Sequence, residues 1–212
     1  MKYLFFLILS LNPLEAQIFH AFLVGDTTDP LIGASVKQDL KLVVQKIAEV
    51  SHELQLPLKK TLIVGQLVTP TYILATLDQL LIDENDIFLF YFSGHGYRTE
   101  SKISQWPNLL CTHSNEGFDL GAVISLIEEK NPQLKLIISD VCNNILKEET
   151  APPVFSRPLQ ARSLFKTLSS ESLVKLFLKT KGSIIATSSQ SGEFAYCTNS
   201  GGFFTKFLIE SI

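Results

Sequence analysis

The chain has 212 residues, with 18 Lys+Arg against 21 Asp+Glu and a net charge of −3. That length suits one domain with a full core, and the mild acidity lacks the basic stripe of a nucleic-acid binder. A hydrophobic fraction of 46% beside 18% charged residues excludes wholesale disorder, and three cysteines without a CxxC or Cys/His cluster make neither a disulfide scaffold nor a zinc site.

Residues 1–16, MKYLFFLILSLNPLEA, read as a signal peptide. Lys2 is the positive n-region, Tyr3 to Leu11 the apolar run, Pro13 a helix breaker, and Ala16 the small residue before a cut at Gln17. The run is too short to span a bilayer core of about 30 Å. The alternative is an apolar strand or helix packed on the domain. The domain is then 17–212, exported (secreted or periplasmic) if the segment is cut and cytoplasmic otherwise. No later stretch approaches transmembrane length, so stable membrane insertion is not expected.

The rest alternates strand and helix patterns. A short apolar run, 21–24, ends in Gly25-Asp26; Val36, Leu40, Val43, Ile47, Val50 and Leu54 then form one helical stripe over 35–54. A second apolar run at 61–64 precedes Thr69-Pro70, which reads as N-cap and first helical residue. Residues 86–92 form the strongest strand, apolar after Asp86 and so expected to be buried on both faces. A helix over 118–129, a strand over 134–139, a long loop with three prolines over 143–163, a helix over 164–179, a strand over 182–187 and a closing helix over 202–212 follow. This order predicts a three-layer α/β/α sandwich on a mainly parallel sheet.

In such sheets ligands bind beyond the carboxyl ends of the strands. Strand ends therefore select the candidate residues: Ser93-Gly94-His95-Gly96 after one strand and Asp140-Val141-Cys142 after the next. Two neighbouring strands would bring His95 and Cys142 to one edge. A thiolate there is a nucleophile, and an imidazole takes its proton and later returns one to a leaving amine. The N–H groups of Gly96 and Cys142 are candidates for an oxyanion hole. The pattern places no Asp or Asn to orient the imidazole, so a dyad is expected. Cys111, Cys197, His20, His52 and His113 read as core or loop residues, and Asp26 as an ordinary turn aspartate that could also line the rim.

These residues carry a resemblance. The segment Ile87-Phe88-Leu89-Phe90-Tyr91-Phe92-Ser93-Gly94-His95-Gly96 resembles the catalytic-histidine strand of caspase-like cysteine peptidases. Leu136-Ile137-Ile138-Ser139-Asp140-Val141-Cys142 is similar to their catalytic-cysteine strand, in the Asp-x-Cys form of metacaspases and bacterial caspase homologues. His95 and Cys142 are 47 residues apart, against about 50 in caspases. Weaker likenesses at Phe22-Leu23-Val24-Gly25, Val36-Lys37-Gln38-Asp39-Leu40, Ala186-Thr187-Ser188-Ser189-Gln190 and Gly201-Gly202-Phe203-Phe204-Thr205 extend the match over about 20–212. Asn143-Asn144 departs from the family, which commonly has a basic or His residue and then Ser-Gly.

The resemblance implies peptide or protein substrates and no cofactor; no EF-hand-like oxygen cluster supports calcium activation. It implies catalytic His95 and Cys142. Caspases that cut after Asp carry Gln where this chain has Asp140, so an acidic P1 side chain would meet like charge. In metacaspases the corresponding Asp, a Ser two before the His and an Asp in the first helix hold Arg or Lys; by position these are Asp140, Ser93 and Asp39. The plain alternative makes Asp39 an exposed helix residue and Ser93 a turn residue. Lys147, Arg157 and Arg162 in the 143–163 loop offer self-cleavage sites to such an enzyme. The rival reading, resting on Asn143-Asn144, is a caspase-like pseudoenzyme acting as a binding or regulatory module. A third, an unrelated small-molecule binder, is disfavoured because no Gly-rich phosphate loop follows any strand.

Overall fold

The computed structural model describes residues 16–145 and 168–212. Residues 1–15, most of the 143–163 loop and the start of the helix expected at 164 lie outside the described residues. In chain order the elements are β1 (Phe19–Gly25), α1 (Gly33–Glu53), β2 (Leu58–Val64), a 3₁₀ turn (Gly65–Leu67), α2 (Pro70–Asp78), β3 (Ile87–Ser93), β4 (His95–Tyr97), β5 (Asn108–Cys111), β6 (Glu116–Asp119), α3 (Leu120–Lys130), β7 (Leu134–Asp140), α4 (Ser170–Leu173) running on as π-helix (Val174–Lys179), β8 (Gly182–Thr187), β9 (Cys197–Thr198), β10 (Gly201–Gly202) and α5 (Phe203–Ser211).

Five strands form a parallel sheet in the order β2-β1-β3-β7-β8. Side chains alternate across it, as the pleat requires. Phe19, Ala21 and Leu23 of β1 pack toward α1, the π-helical turn and α5, while Phe22 and Val24 pack toward α2 and α3. The same alternation splits β3, with Ile87, Leu89 and Tyr91 on the first face and Phe88, Phe90 and Phe92 on the second. All residues of β1 and β3 are buried, which is why both read as continuous apolar runs. The three-layer α/β/α architecture expected from the sequence is the observed one.

Local chemistry sets the element ends. Thr69 caps α2 by accepting the Tyr72 N–H, with Pro70 at its first position. The helix expected from 118 starts at Leu120 instead, because Phe118 and Asp119 complete β6 and the Asp119 carboxylate caps α3 at the Gly121 N–H, 2.8 Å away. The small antiparallel sheet β4-β5-β6 and the pair β9-β10 were not expected. Strands of two to four residues are too short to carry a period-two signal.

Candidate active site

The two strand ends singled out by sequence are neighbours. β3 and β7 pair in parallel with Ser93 opposite Asp140, and the Gly94 N–H donates to the Asp140 carbonyl at 3.3 Å. His95 opens β4, and Cys142 lies two residues beyond β7. Their side chains line one crevice at the carboxyl ends of β3 and β7, together with Ser93, Asp39, Asp140 and Cys197. Because β1 and β3 are adjacent while β2 lies beyond β1, the strand order reverses between β1 and β3, and the crevice reaches that point through Val36 and Asp39 of the segment after β1, where an open α/β sheet places a ligand. Gly96 explains the close approach of the two loops: a Cβ there would run into the Cys142 carbonyl oxygen and, at 2.7 Å, the Val141 side chain. Of the site residues named from the sequence, His95, Cys142, Asp140, Ser93 and Asp39 line this crevice, while Gly96 packs behind it against Val141 and Cys142.

Cys142 is buried. The Ala195 N–H donates to its Sγ at 3.3 Å, and the thiol faces the Ala195 carbonyl at 3.8 Å. Burial pushes the thiol above its ordinary pKa; the Ala195 bond opposes this, and the neighbouring Asp140 and Cys197 add to it. The Cys111 thiol, in β5, is pushed up to about 12 by burial and then by Asp26 and Glu116. Cys197 departs from the filler role expected of it, since it faces the same crevice as Cys142.

Asn143 has a structural use that the sequence did not reveal. It is fully buried; its Oδ1 accepts from Arg98 Nη1 at 3.1 Å, and its Nδ2 donates to the Gln105 carbonyl at 2.9 Å. Its main chain bonds Glu193 and Gly192, at 3.0 and 2.8 Å. Arg98 is anchored in turn on the Lys102 and Ser104 carbonyls. The segment after Cys142 is thus clamped from both sides, with the Asn143 amide tied up away from the sulfur.

The crevice holds two buried carboxylates. Asp39, on α1, accepts from Ser93 Oγ at 2.9 Å and the Gly202 N–H at 2.7 Å, so neither residue is the exposed or turn residue of the plain alternative. Asp140 Oδ2 accepts from the Thr205 N–H and Oγ1 at 3.1 and 2.7 Å, and Tyr91 braces Thr205 through a 2.6 Å hydroxyl contact. Burial and then the nearby Asp140 raise Asp39 to about 7; burial likewise raises Asp140. Gly201 and Gly202 are required here. Gly201 sits at φ +115°, and a Cβ on either would strike the Asp39 or Asp140 carboxylate.

One acidic residue was missed. Asp29 Oδ2 stands 3.2 Å from His95 Nε2. Its Oδ1 accepts the N–H groups of Leu31 and Ile32, both at 2.8 Å, and its carbonyl accepts Gly33 N–H at 3.0 Å. The available signal was an aspartate just past β1 and ahead of α1, a turn-and-cap position. Asp26, considered for the rim, instead bonds the Thr112 N–H at 2.8 Å and Thr28 Oγ1 at 3.3 Å. Among the described residues no group of three or more His, Cys, Asp or Glu side chains is arranged to hold a metal ion, and no helix is long and apolar enough to cross a membrane.

The class that the structure defines is a three-layer α/β fold on a parallel sheet, with a cysteine and a histidine at adjacent strand ends. The sequence model of one family, the caspase domain, matches residues 36–212. The chain belongs to the caspase-domain family of peptidases. No curated protein matches it.

Proposed function

We propose that the chain is a cysteine endopeptidase of the metacaspase and bacterial caspase-homologue type, cleaving after Arg or Lys. The carrying observation is that Cys142 and His95 share one crevice with two buried carboxylates, Asp39 and Asp140. A guanidinium or ammonium P1 side chain neutralises that pair, whereas Asp at P1 adds a like charge. Ser93 holds Asp39 in place for this.

In this mechanism the Cys142 proton passes to His95 as sulfur attacks the scissile carbonyl carbon. Burial keeps the resting thiol protonated, so the transfer accompanies attack rather than preceding it. The N–H groups of Gly96 and Cys142 receive the developing oxyanion. The imidazolium then protonates the leaving amine, and water, deprotonated by His95, releases the acyl group and restores the thiol. The burial of the Asn143 side chain against Arg98 supports activity over the pseudoenzyme reading, because the departure from the family pattern is absorbed away from the thiol.

The test is a fluorogenic P1 scan on the wild type and on Cys142→Ala. Turnover of Arg or Lys peptides lost in the variant is expected; no turnover of any peptide, with no preference of iodoacetamide for Cys142 over Cys111, would support the pseudoenzyme. The proposal includes export with removal of residues 1–16, and a native protein found by mass analysis to begin at Met1 would contradict that part.

A further inference from the structure

We propose that Asp29 is a positioning residue for His95. Its carboxylate holds Nε2 protonated, leaves Nδ1 as the lone pair offered to Cys142, and so extends the expected dyad to a triad. The inference rests on the peptidase reading above and adds a residue that lies ahead of the family match, which begins at residue 36.

The geometry carries it in three steps. First, Asp29 Oδ2 is 3.2 Å from His95 Nε2, with the two side chains 5% and 16% exposed, so water competes little for either. Second, the carboxylate cannot swing away. Its other oxygen is held by two main-chain N–H groups at the start of α1, and its own carbonyl is tied to Gly33. Third, an ionised carboxylate only accepts, so at this ion-pair distance it favours a proton on the nearby Nε2 over a lone pair there, a small turn of the ring completes the hydrogen bond, and a neutral imidazole then has its acceptor on the other nitrogen. The other two crevice acids are engaged elsewhere, Asp39 with Ser93 and Gly202 and Asp140 with Thr205.

The proton balance is simple. The Cys142 proton moves to Nδ1, giving a thiolate that bonds the carbonyl carbon and an imidazolium whose Nε2–H faces Asp29. The Nδ1 proton then leaves with the amine. Asp29 keeps its charge throughout; it fixes the tautomer and stabilises the transient cation.

The test uses Asp29→Asn, Asp29→Ala and the wild-type chain. Asn keeps an Oδ1 acceptor for Leu31 and Ile32 but turns an amide donor toward Nε2, which forces the proton onto Nδ1. Asp29→Asn is expected to lower kcat on an Arg peptide by about a hundredfold or more with KM little changed, the tautomer effect reaching about ten-thousandfold in serine proteases. Asp29→Ala should lose less kcat than Asn, since its imidazole is free to take either tautomer, while melting earlier. A capping role alone predicts the reverse order, with Asn wild-type-like and Ala impaired; that result overturns the proposal. The second readout needs no turnover: ¹⁵N spectra of histidine-labelled protein, with His95 assigned by its loss in His95→Ala. Nε2–H in the wild type and Nδ1–H in Asp29→Asn are expected, and Nδ1–H in the wild type overturns the idea whether or not the variants fold. If the wild type cleaves nothing, the peptidase reading fails while the spectrum still decides the role of Asp29.

Discussion

Two His–Asp pairs stand at opposite ends of the sheet, the first buried and the second half-buried. At the amino end, His20 Nε2 is 2.9 Å from Asp86 Oδ2, and Asp86 also takes the Ile18 and Asp83 N–H groups, at 2.8 and 3.0 Å. That pair staples the start of β1 to the segment before β3, with side chains 5% and 3% exposed. The hollow beside His20 is lined by Lys59, Thr61, Gln79 and apolar residues and has no cysteine. At the carboxyl end, His95 Nε2 stands 3.2 Å from Asp29 Oδ2 at ion-pair distance, without the hydrogen-bond alignment of the first pair, and His95 borders the crevice of Cys142. Each histidine stands beside an aspartate; what shares the cavity with it, a cysteine or none, separates a structural staple from a candidate base.

The largest expected effect breaks the second pair and spares the first. Cys142→Ala and His95→Ala should each cut kcat/KM by about a thousandfold or more, and the double variant little further, since nucleophile and base act as a unit. His20→Ala and Cys111→Ala should leave most of the activity. Cleavage by Cys142→Ala at the wild-type rate would end the comparison.

Specificity comes next in size. Peptides identical except at P1 should rank Arg or Lys above Asp or Leu by about a hundredfold, because a mismatched buried charge costs about 3–5 kcal/mol. Asp140→Ala should remove most of the Arg preference, while the alkylation rate of Cys142 rises only modestly as one of the charges that hold its pKa up is lost. If Asp or Leu at P1 is preferred, the acidic-pocket reading is wrong and the Cys142–His95 pair stands alone.

What could be read from the sequence followed from length and period. β3 and β7 are seven-residue runs, buried throughout in β3 and at all but Leu136 in β7, and their ends delivered His95 and Cys142 without any search for those residue types. Asp140 was legible because it sits two residues before the cysteine. Asp39 and Ser93 came only through resemblance, since a helix aspartate and a turn serine look alike whether buried or not. Asp29 was hidden because its partner is 66 residues away and its local pattern, an aspartate before a helix, is already explained by capping. Cys197 was hidden for a similar reason: β9 has only two residues and carries no periodicity to aim the side chain.

The staple itself should matter to stability and not to catalysis. Asp86→Ala strips the acceptor from two main-chain N–H groups and from His20. Leaving such donors unsatisfied costs about 1–3 kcal/mol in a buried setting. For a chain of this size that is a fall in Tm of about 2–12 °C. Tm and kcat/KM measured on one preparation decide it. A loss of kcat/KM larger than tenfold, well below the new Tm, would mean that the two ends of the sheet are coupled.

The smallest effect is a pH dependence, and its sign follows from the acidic pair. Burial and the neighbouring Asp140 hold Asp39 at about 7, while the Gly202 and Ser93 hydrogen bonds and the Lys206 charge pull it down. Below that value the empty crevice carries a proton on Asp39, and a cationic P1 side chain must displace it; above it, the Asp39 carboxylate is ready to pair. KM for an Arg peptide should therefore fall as pH rises from 6 toward 7, by at most about tenfold per unit, and level off beyond. The stability linkage runs the other way. A carboxyl raised in the folded state favours folding below its unfolded value, and that contribution is lost as pH rises through about 7. Asp39→Asn should flatten both trends, and Ser93→Ala, by removing a bond that lowers the Asp39 pKa, should move the KM midpoint upward. A Leu peptide in the same scan isolates any titration of the chemical steps. If KM for Arg and Leu peptides moves in parallel, the dependence belongs to the Cys142–His95 side of the crevice, and Asp39 does not meet the P1 charge.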